Sequence, residues 1–175
     1  MEHAVIRKGA VTCEGVTLAE WSIHLPYCWD FAPMKQFYEE LAEGVEADFC
    51  HASLQERALR EYEESEDPLK RFHFGAFRYT LTGKICYDSD TLCSVRLDAT
   101  LCKRGSRAIR LIGMDAHTWE KESGMLLPPQ EVLMHMNEAP MRRRERKETK
   151  SALVTRQGIL LFDGVSLRRR EEKKE

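Results

Sequence analysis

Asp115, His117 and Trp119 stand at alternate positions of the stretch RAIRLIGMDAHTWEKESGMLLPPQEVL, residues 107 to 133, with Glu120 and Ser123 just beyond them. On a regular strand, side chains two apart point the same way, so a carboxylate, an imidazole and an indole would share one face. A carboxylate that orients an imidazole is half of a hydrolytic arrangement. The other half is a nucleophile within hydrogen-bond reach of the imidazole. No Ser or Cys lies in a Gly-x-Ser-x-Gly elbow, and Ser123 before Gly124 reads as turn chemistry. The reading taken is therefore a surface: Asp115, His117 and Trp119 as a partner-binding strand end, with an exposed Trp119 anchoring an unknown protein or glycan partner. A Cys- or His-dependent hydrolase is the alternative. The twofold phase from Ile109 and Leu111 would continue through Gly113 to Asp115, so either the strand leaves the core there or a bulge at Gly113 changes its facing.

Other chemistries find less in the sequence. The six cysteines (13, 28, 50, 86, 93 and 102) include no Cys-x-x-Cys pair, and adjacent Cys50 and His51 do not converge easily on one ion. Cys93 falls in the apolar phase of its strand, where cysteine behaves as a small hydrophobe. Free thiols, no metal and no cofactor are expected. Glycine-rich phosphate cradles of the Gly-x-Gly-x-x-Gly or Gly-x-x-x-x-Gly-Lys kind do not occur. Arg142, Arg143, Arg144, Arg146 and Lys147 could neutralise phosphates, but no aromatic residue is interleaved for base stacking. Nucleic-acid binding through them would be weak, salt-sensitive and indifferent to sequence.

The 175 residues, 42% apolar and 32% charged, suit one globular domain over 1–175. The net charge of −2 hides an asymmetry. Residues 1–141 hold 15 basic and 23 acidic side chains, and residues 142–175 hold 12 basic and 6 acidic. Such a split can mark a tail for an acidic partner. With Glu mixed among the Arg, it reads here as a solvated surface: a charged segment at 141–150 and a frayed tail at 168–175. No apolar run approaches the roughly 20 residues that cross a bilayer, and no positive region leads into an apolar stretch at the N-terminus. A cytoplasmic protein with reduced thiols is the expectation.

The elements that must hold these residues follow from periodicity. From Trp21 through Ile23, Leu25 and Tyr27 the large apolar residues recur every second position, which predicts a half-buried strand. Pro33 suits a first helical turn, and Met34, Phe37, Tyr38, Leu41 and Val45 recur at helical spacing, predicting an amphipathic helix from about Pro33 to Phe49. Leu54, Ala58, Leu59 and Tyr62 predict a second helix, or a continuation, until Pro68 stops it. The period then becomes twofold in Phe77, Tyr79 and Leu81, again from Cys93 to Leu101, and again from Arg107 to Trp119. The short links between them predict an antiparallel meander. Pro128-Pro129 open a short helix carrying Val132, Leu133 and Met136, and SALVTRQGILLFDGV predicts a last strand pair or one bent strand. The fold class expected is α+β: an antiparallel sheet of four to six strands with one or two long helices packed on one face.

The order of these parts resembles a bacterial family of uncharacterised function, the one that forms the lysozyme-sensing domain of sigma-V-type anti-sigma factors and accompanies peptidoglycan deacetylase domains. Carrying the resemblance are Leu25-Pro26-Tyr27 before the long helix, Leu92-Cys93-Ser94-Val95 in the meander, Asp115 through Gly124 leading into Leu126-Leu127-Pro128 and Val132-Leu133, and Leu153 through Ile159. The resemblance implies the fold and a binding or regulatory role. It supplies no catalytic residue. Where such proteins are commonly secreted or anchored, this sequence shows neither signal nor anchor. Lys103-Arg104-Gly105-Ser106-Arg107 replaces their usual glycine-rich turn, and the tyrosine-containing ending gives way to Asp163-Gly164-Val165-Ser166-Leu167.

Overall fold

Residues His3–Cys13 carry no clean alternation of large apolar side chains, yet they form a strand. In the computed structural model, which describes residues 3–28, 31–106, 108–137, 149–155, 158–162 and 167–169, β1 (His3–Cys13) pairs antiparallel with β2 (Val16–Tyr27). The turn is Glu14-Gly15, with positive φ at both residues, 50° and 80°, as a right-twisted two-residue hairpin requires. Gly9 on β1 lies opposite Trp21. A Cβ there would fall 2.1 Å from Trp21 Cζ2, so the indole occupies the space that a side chain would need.

The helix begins near Pro33 as the sequence suggests and runs further than Phe49. α1 (Ala32–Val45) continues through a π-helical segment (Glu46–Leu54) into α2 (Gln55–Glu63). Its buried residues are Met34, Tyr38, Ala42, Cys50, Leu54, Ala58 and Tyr62. A stripe repeating every fourth residue drifts around a helix of about 3.6 residues per turn. The wider π turns in the middle bring it back to one side. This stripe shares a single apolar cluster with Leu18, Trp21, Ile23, Leu25, Phe77, Tyr79, Leu81, Val95, Leu97 and Trp119 of the strands. The helix ends at Glu63, before Pro68. That proline instead opens α3 (Pro68–Phe72), where the Asp67 carboxylate accepts the Leu69 N–H at 2.9 Å.

β3 (Phe77–Asp88), β4 (Leu92–Lys103), β5 (Ile109–Glu120) and β6 (Met125–Leu126) complete a six-stranded sheet in the order β1-β2-β3-β4-β5-β6. The expectation of a wholly antiparallel sheet needs correction: β2 and β3 pair parallel, with Trp21 opposite Tyr79. Short links do force β3, β4 and β5 to reverse. Between β2 and β3, however, the chain carries the long helix, which is the kind of crossover that parallel strands require.

β7 (Ser151–Thr155), β8 (Gly158–Phe162) and β9 (Leu167–Arg169) form a separate antiparallel sheet, so the strand pair expected at the end is present with a third strand added. α4 (Pro129–His135) starts at the double proline and buries Val132 and Leu133, as read from the sequence. These two residues join Leu92, Leu127, Ala152, Val154 and Ile159 in a second apolar cluster. Two buried hydroxyls tie the sheets together. The Val154 N–H donates to Ser94 Oγ at 2.9 Å, Ser94 and Thr118 hydroxyls lie 2.6 Å apart, and Thr118 donates to the Ala152 carbonyl at 2.8 Å. Each hydroxyl both donates and accepts, so the relay leaves no member of the chain unsatisfied. Arg142, Arg143, Arg144, Arg146 and Lys147, and the tail from Arg170 onward, lie outside the described residues. Among the described residues, no helix is long and apolar enough to cross a membrane.

Candidate functional site

The register of β5 decides what Asp115, His117 and Trp119 face. Thr100 pairs with Leu111, but Ala99 pairs with Gly113, so Ile112 is an extra residue and the phase of the strand changes there. The bulge expected at Gly113 would turn Asp115 away from a core-facing Ile109 and Leu111 phase; the extra residue is instead Ile112, and the change of facing runs the opposite way. Before it, Ile109 and Leu111 lie opposite Cys102 and Thr100 and are exposed. After it, Asp115, His117 and Trp119 lie opposite Leu97, Val95 and Cys93, the core-facing phase of β4. The bulge has moved the odd-numbered residues from one side of the sheet to the other.

Trp119 is consequently no surface anchor. It is 3% exposed, with its ring centroid 5.9 Å from Phe31 and 5.1 Å from Phe37, both edge-on. His117 is 8% exposed, stacked on Tyr38 at 5.8 Å and edge-on to Phe37 at 5.2 Å. The expectation of an exposed Asp–His–Trp face therefore fails for two of its three members, because α1 covers them. Among the described residues, Tyr38 Oη, His117 Nδ1 and Trp119 Nε1 are buried without a hydrogen bond of good geometry, the Tyr38 hydroxyl and the Trp119 indole N–H facing each other. Burial pushes the Tyr38 hydroxyl well above its ordinary range.

Asp115 alone keeps contact with solvent, its side chain 51% exposed. One carboxylate oxygen accepts the Ser151 hydroxyl at 2.8 Å and the Ala116 N–H at 2.7 Å; the other lies 3.6 Å from His117 Nε2. Partial burial works against the charge, but His117, Ser151 and the Ala116 amide outweigh it and hold the carboxyl below the usual range. The order of groups is serine, carboxylate, imidazole. A hydrolytic relay needs the imidazole in the middle, taking the proton from the hydroxyl. Here the hydroxyl donates to an acid that is already ionised. Among the described residues, no serine or cysteine hydrogen-bonds His117.

A cleft of about 520 Å³ opens beside this carboxylate, lined by Met114, Asp115, Ala116 and His117 of β5, Leu126 to Pro129, and Lys150 with Ser151 at the start of β7. It lies along a sheet edge. β6 pairs only with Trp119 and Glu120, so among the described residues no strand covers β5 from Ile109 to Thr118 on that side. Thr118 turns its carbonyl outward to the Leu127 N–H at 2.8 Å, and alternation gives Ala116 and Met114 the same outward backbone direction. Asp115 caps the Ala116 amide itself. Ser123 is turn chemistry as read: its hydroxyl donates to Glu120 and accepts the Met125 N–H at 3.3 Å, and Gly124 has φ +73°. Lys150 and Ser151 were not legible as members of this site, since nothing in their local pattern ties them to Asp115.

No family model matches the sequence, and neither does any curated protein. Solved structures do match. A DUF3298 family protein (PA4972) from Pseudomonas aeruginosa PAO1 superposes over 92% of this chain and 81% of its own, with a TM-score of 0.51 and 14% identity. The chain has the fold of DUF3298 proteins. A second member of that family (BF2082), from Bacteroides fragilis NCTC 9343, matches 92% of this chain and 82% of its own, with TM-score 0.51 and 7% identity. At such identities the DUF3298 likeness concerns architecture, which agrees with the resemblance to an uncharacterised bacterial family. Its residues and roles do not transfer.

Proposed function

We propose that this chain is a noncatalytic binding module that receives an extended segment of a partner protein along the outer edge of β5. The observation that carries this is the long run of β5, beside an open cleft, that has no strand partner among the described residues. An unpaired edge offers main-chain donors and acceptors that another strand can complete. The side chains there suit the same use. Ile109, Leu111 and Ile112 are exposed apolar residues on and around the bulge, and Leu126, Leu127, Pro128 and Pro129 line the cleft further along. Asp115 adds a half-exposed carboxylate, which suits a basic side chain on the arriving segment. The ordering of Ser151, Asp115 and His117 supports binding over hydrolysis, because it activates no nucleophile.

The test places a photo-crosslinking residue at Met114, with a control at Leu69 on α3. The partner peptide trapped from Met114 is then synthesised and added to the purified chain. It should slow hydrogen exchange at the Met114 and Ala116 amides. Trapping from Leu69 alone, or protection confined to other strands, overturns edge binding. Ester or peptide turnover that disappears in His117→Ala would instead establish the hydrolase.

A further inference from the structure

Cys28 and Cys93 are 65 positions apart and meet inside the protein. Their sulfurs are 3.2 Å apart, and Asp88 Oδ1 lies 3.7 Å from Cys28 Sγ. Lys121 Nζ holds Asp88 at 2.7 Å. Topology creates the meeting. Cys28 follows the last residue of β2, and Cys93 is the second residue of β4, opposite Asp88 of β3 and Trp119 of β5. The bulge at Cys86 sets the phase of Asp88, since Ile85 pairs with Val95 but Tyr87 with Ser94.

Two sulfurs and a carboxylate also form a set that could hold a metal ion, and the geometry argues against that use. Thiolates bound to tetrahedral zinc at about 2.3 Å stand roughly 3.8 Å from each other, wider than this pair. The carboxylate already carries an ammonium, so an arriving cation would meet Lys121. A sulfur–sulfur approach of 3.2 Å instead leaves about 1.1 Å to close before a disulfide bond of about 2.05 Å.

We propose that Cys28 and Cys93 are a dithiol that converts reversibly to an intramolecular disulfide, with Cys28 as the attacking sulfur and Cys93 as the resolving one. The two differ in access: Cys28 is 8% exposed and Cys93 is fully buried. They differ in acidity as well. The sulfur–sulfur hydrogen bond with Cys93 lowers Cys28, with Lys121 assisting against burial and Asp88, while the same bond and burial raise Cys93. A lowered thiol is the one that carries the thiolate. The oxidant is a low-molecular-weight disulfide such as oxidised glutathione. Cys28 thiolate attacks one of its sulfurs, the glutathione S–S bond breaks, and the first glutathione leaves with the electron pair and takes a proton from solvent. Cys93 then attacks Cys28 Sγ, and its proton passes to the departing glutathione sulfur. The mixed disulfide breaks and the second glutathione leaves as a thiol. Two protein thiols are oxidised and one disulfide is reduced to two thiols.

The full chain is equilibrated in glutathione buffers of graded redox ratio, quenched with acid and analysed by intact mass and peptide mapping. The wild type should lose the mass of two hydrogens in a step that reduced glutathione reverses, with the Cys28 and Cys93 peptides joined. Cys93→Ser should retain one glutathionyl group on Cys28, and Cys28→Ser should leave Cys93 unmodified. The proposal is overturned if wild-type Cys28 accumulates a glutathionyl group that Cys93 does not displace. It is also overturned if both thiols stay reduced while Cys13, Cys86 and Cys102 react, because those are the more accessible sulfurs. Stoichiometric cobalt(II) binding with thiolate charge-transfer bands, lost in Cys93→Ser, would replace it with a metal site.

Discussion

Replacing Trp119 with alanine tests the placement of β5 directly. The indole is 3% exposed and meets Phe31, Phe37 and Tyr38 at centroid distances of 5.9, 5.1 and 6.3 Å. Burying an aromatic side chain of roughly 200 Å² at about 25 cal/mol/Å² is worth about 5 kcal/mol as an upper bound. Among the described residues its Nε1 faces the Tyr38 hydroxyl without good hydrogen-bond geometry, and a poorly satisfied buried donor costs up to about 1 to 3 kcal/mol. The net stabilisation is smaller than the area implies, but the cavity left by truncation adds to the loss. Trp119→Ala should therefore cost about 3 to 5 kcal/mol, the range for deleting large aromatics from cores. Trp119→Phe should cost less, because it keeps part of the ring contact and removes the poorly satisfied N–H. The assay is urea unfolding followed by circular dichroism, with the midpoint lowered and the slope unchanged. A loss under about 1 kcal/mol for Trp119→Ala, in the range of exposed positions, would put the indole at the surface and return it to the role of partner anchor.

Three further outcomes follow from other parts of the fold. Gly9→Ala should destabilise by about 1 to 3 kcal/mol through overpacking, since the new Cβ would fall 2.1 Å from the Trp21 ring; a neutral result in the same unfolding assay would mean that Trp21 lies elsewhere. Ser94→Ala should leave the Val154 N–H without its acceptor, costing about 1 to 3 kcal/mol and speeding hydrogen exchange at Val154, which would stay slow if the two sheets were joined by other means. Asp115 has a lowered pKa in the folded chain, so its contribution is present above the unfolded carboxyl value of about 3.9 and is lost as pH falls through the folded value. Asp115→Asn should flatten the stability–pH curve in that acid window, and unchanged curves would mean that the carboxylate gains nothing from His117 and Ser151.

Local pattern was enough for the elements whose signals are local. Pro33 and the apolar residues after it located the long helix, Pro128-Pro129 located α4, and short links forced β3, β4 and β5 to reverse, because a few residues can only turn a chain back on itself. β1 escaped notice because its apolar residues are small or interrupted and its turn, Glu14-Gly15, lacks the usual Asn or Asp. Of the two expectations for Leu54 to Tyr62, a second helix or a continuation, the chain takes the continuation, because π turns let a four-residue stripe stay buried.

The candidate site depended on longer-range facts. Asp115, His117 and Trp119 were legible as an alternating trio, but a one-residue bulge at Ile112 decided which side of the sheet received them, and the backbone accommodates such a residue without any special side chain. Ser151 reaches Asp115 from 36 positions away, and Cys28 reaches Cys93 from 65. The sequence by itself determined the types and periods of the main elements, since propensity and alternation act between near neighbours. Tertiary structure decided the parallel β2–β3 pairing, the burial of Trp119 and the two distant meetings, because pairing partners and strand phase are set by packing among segments that no local pattern links.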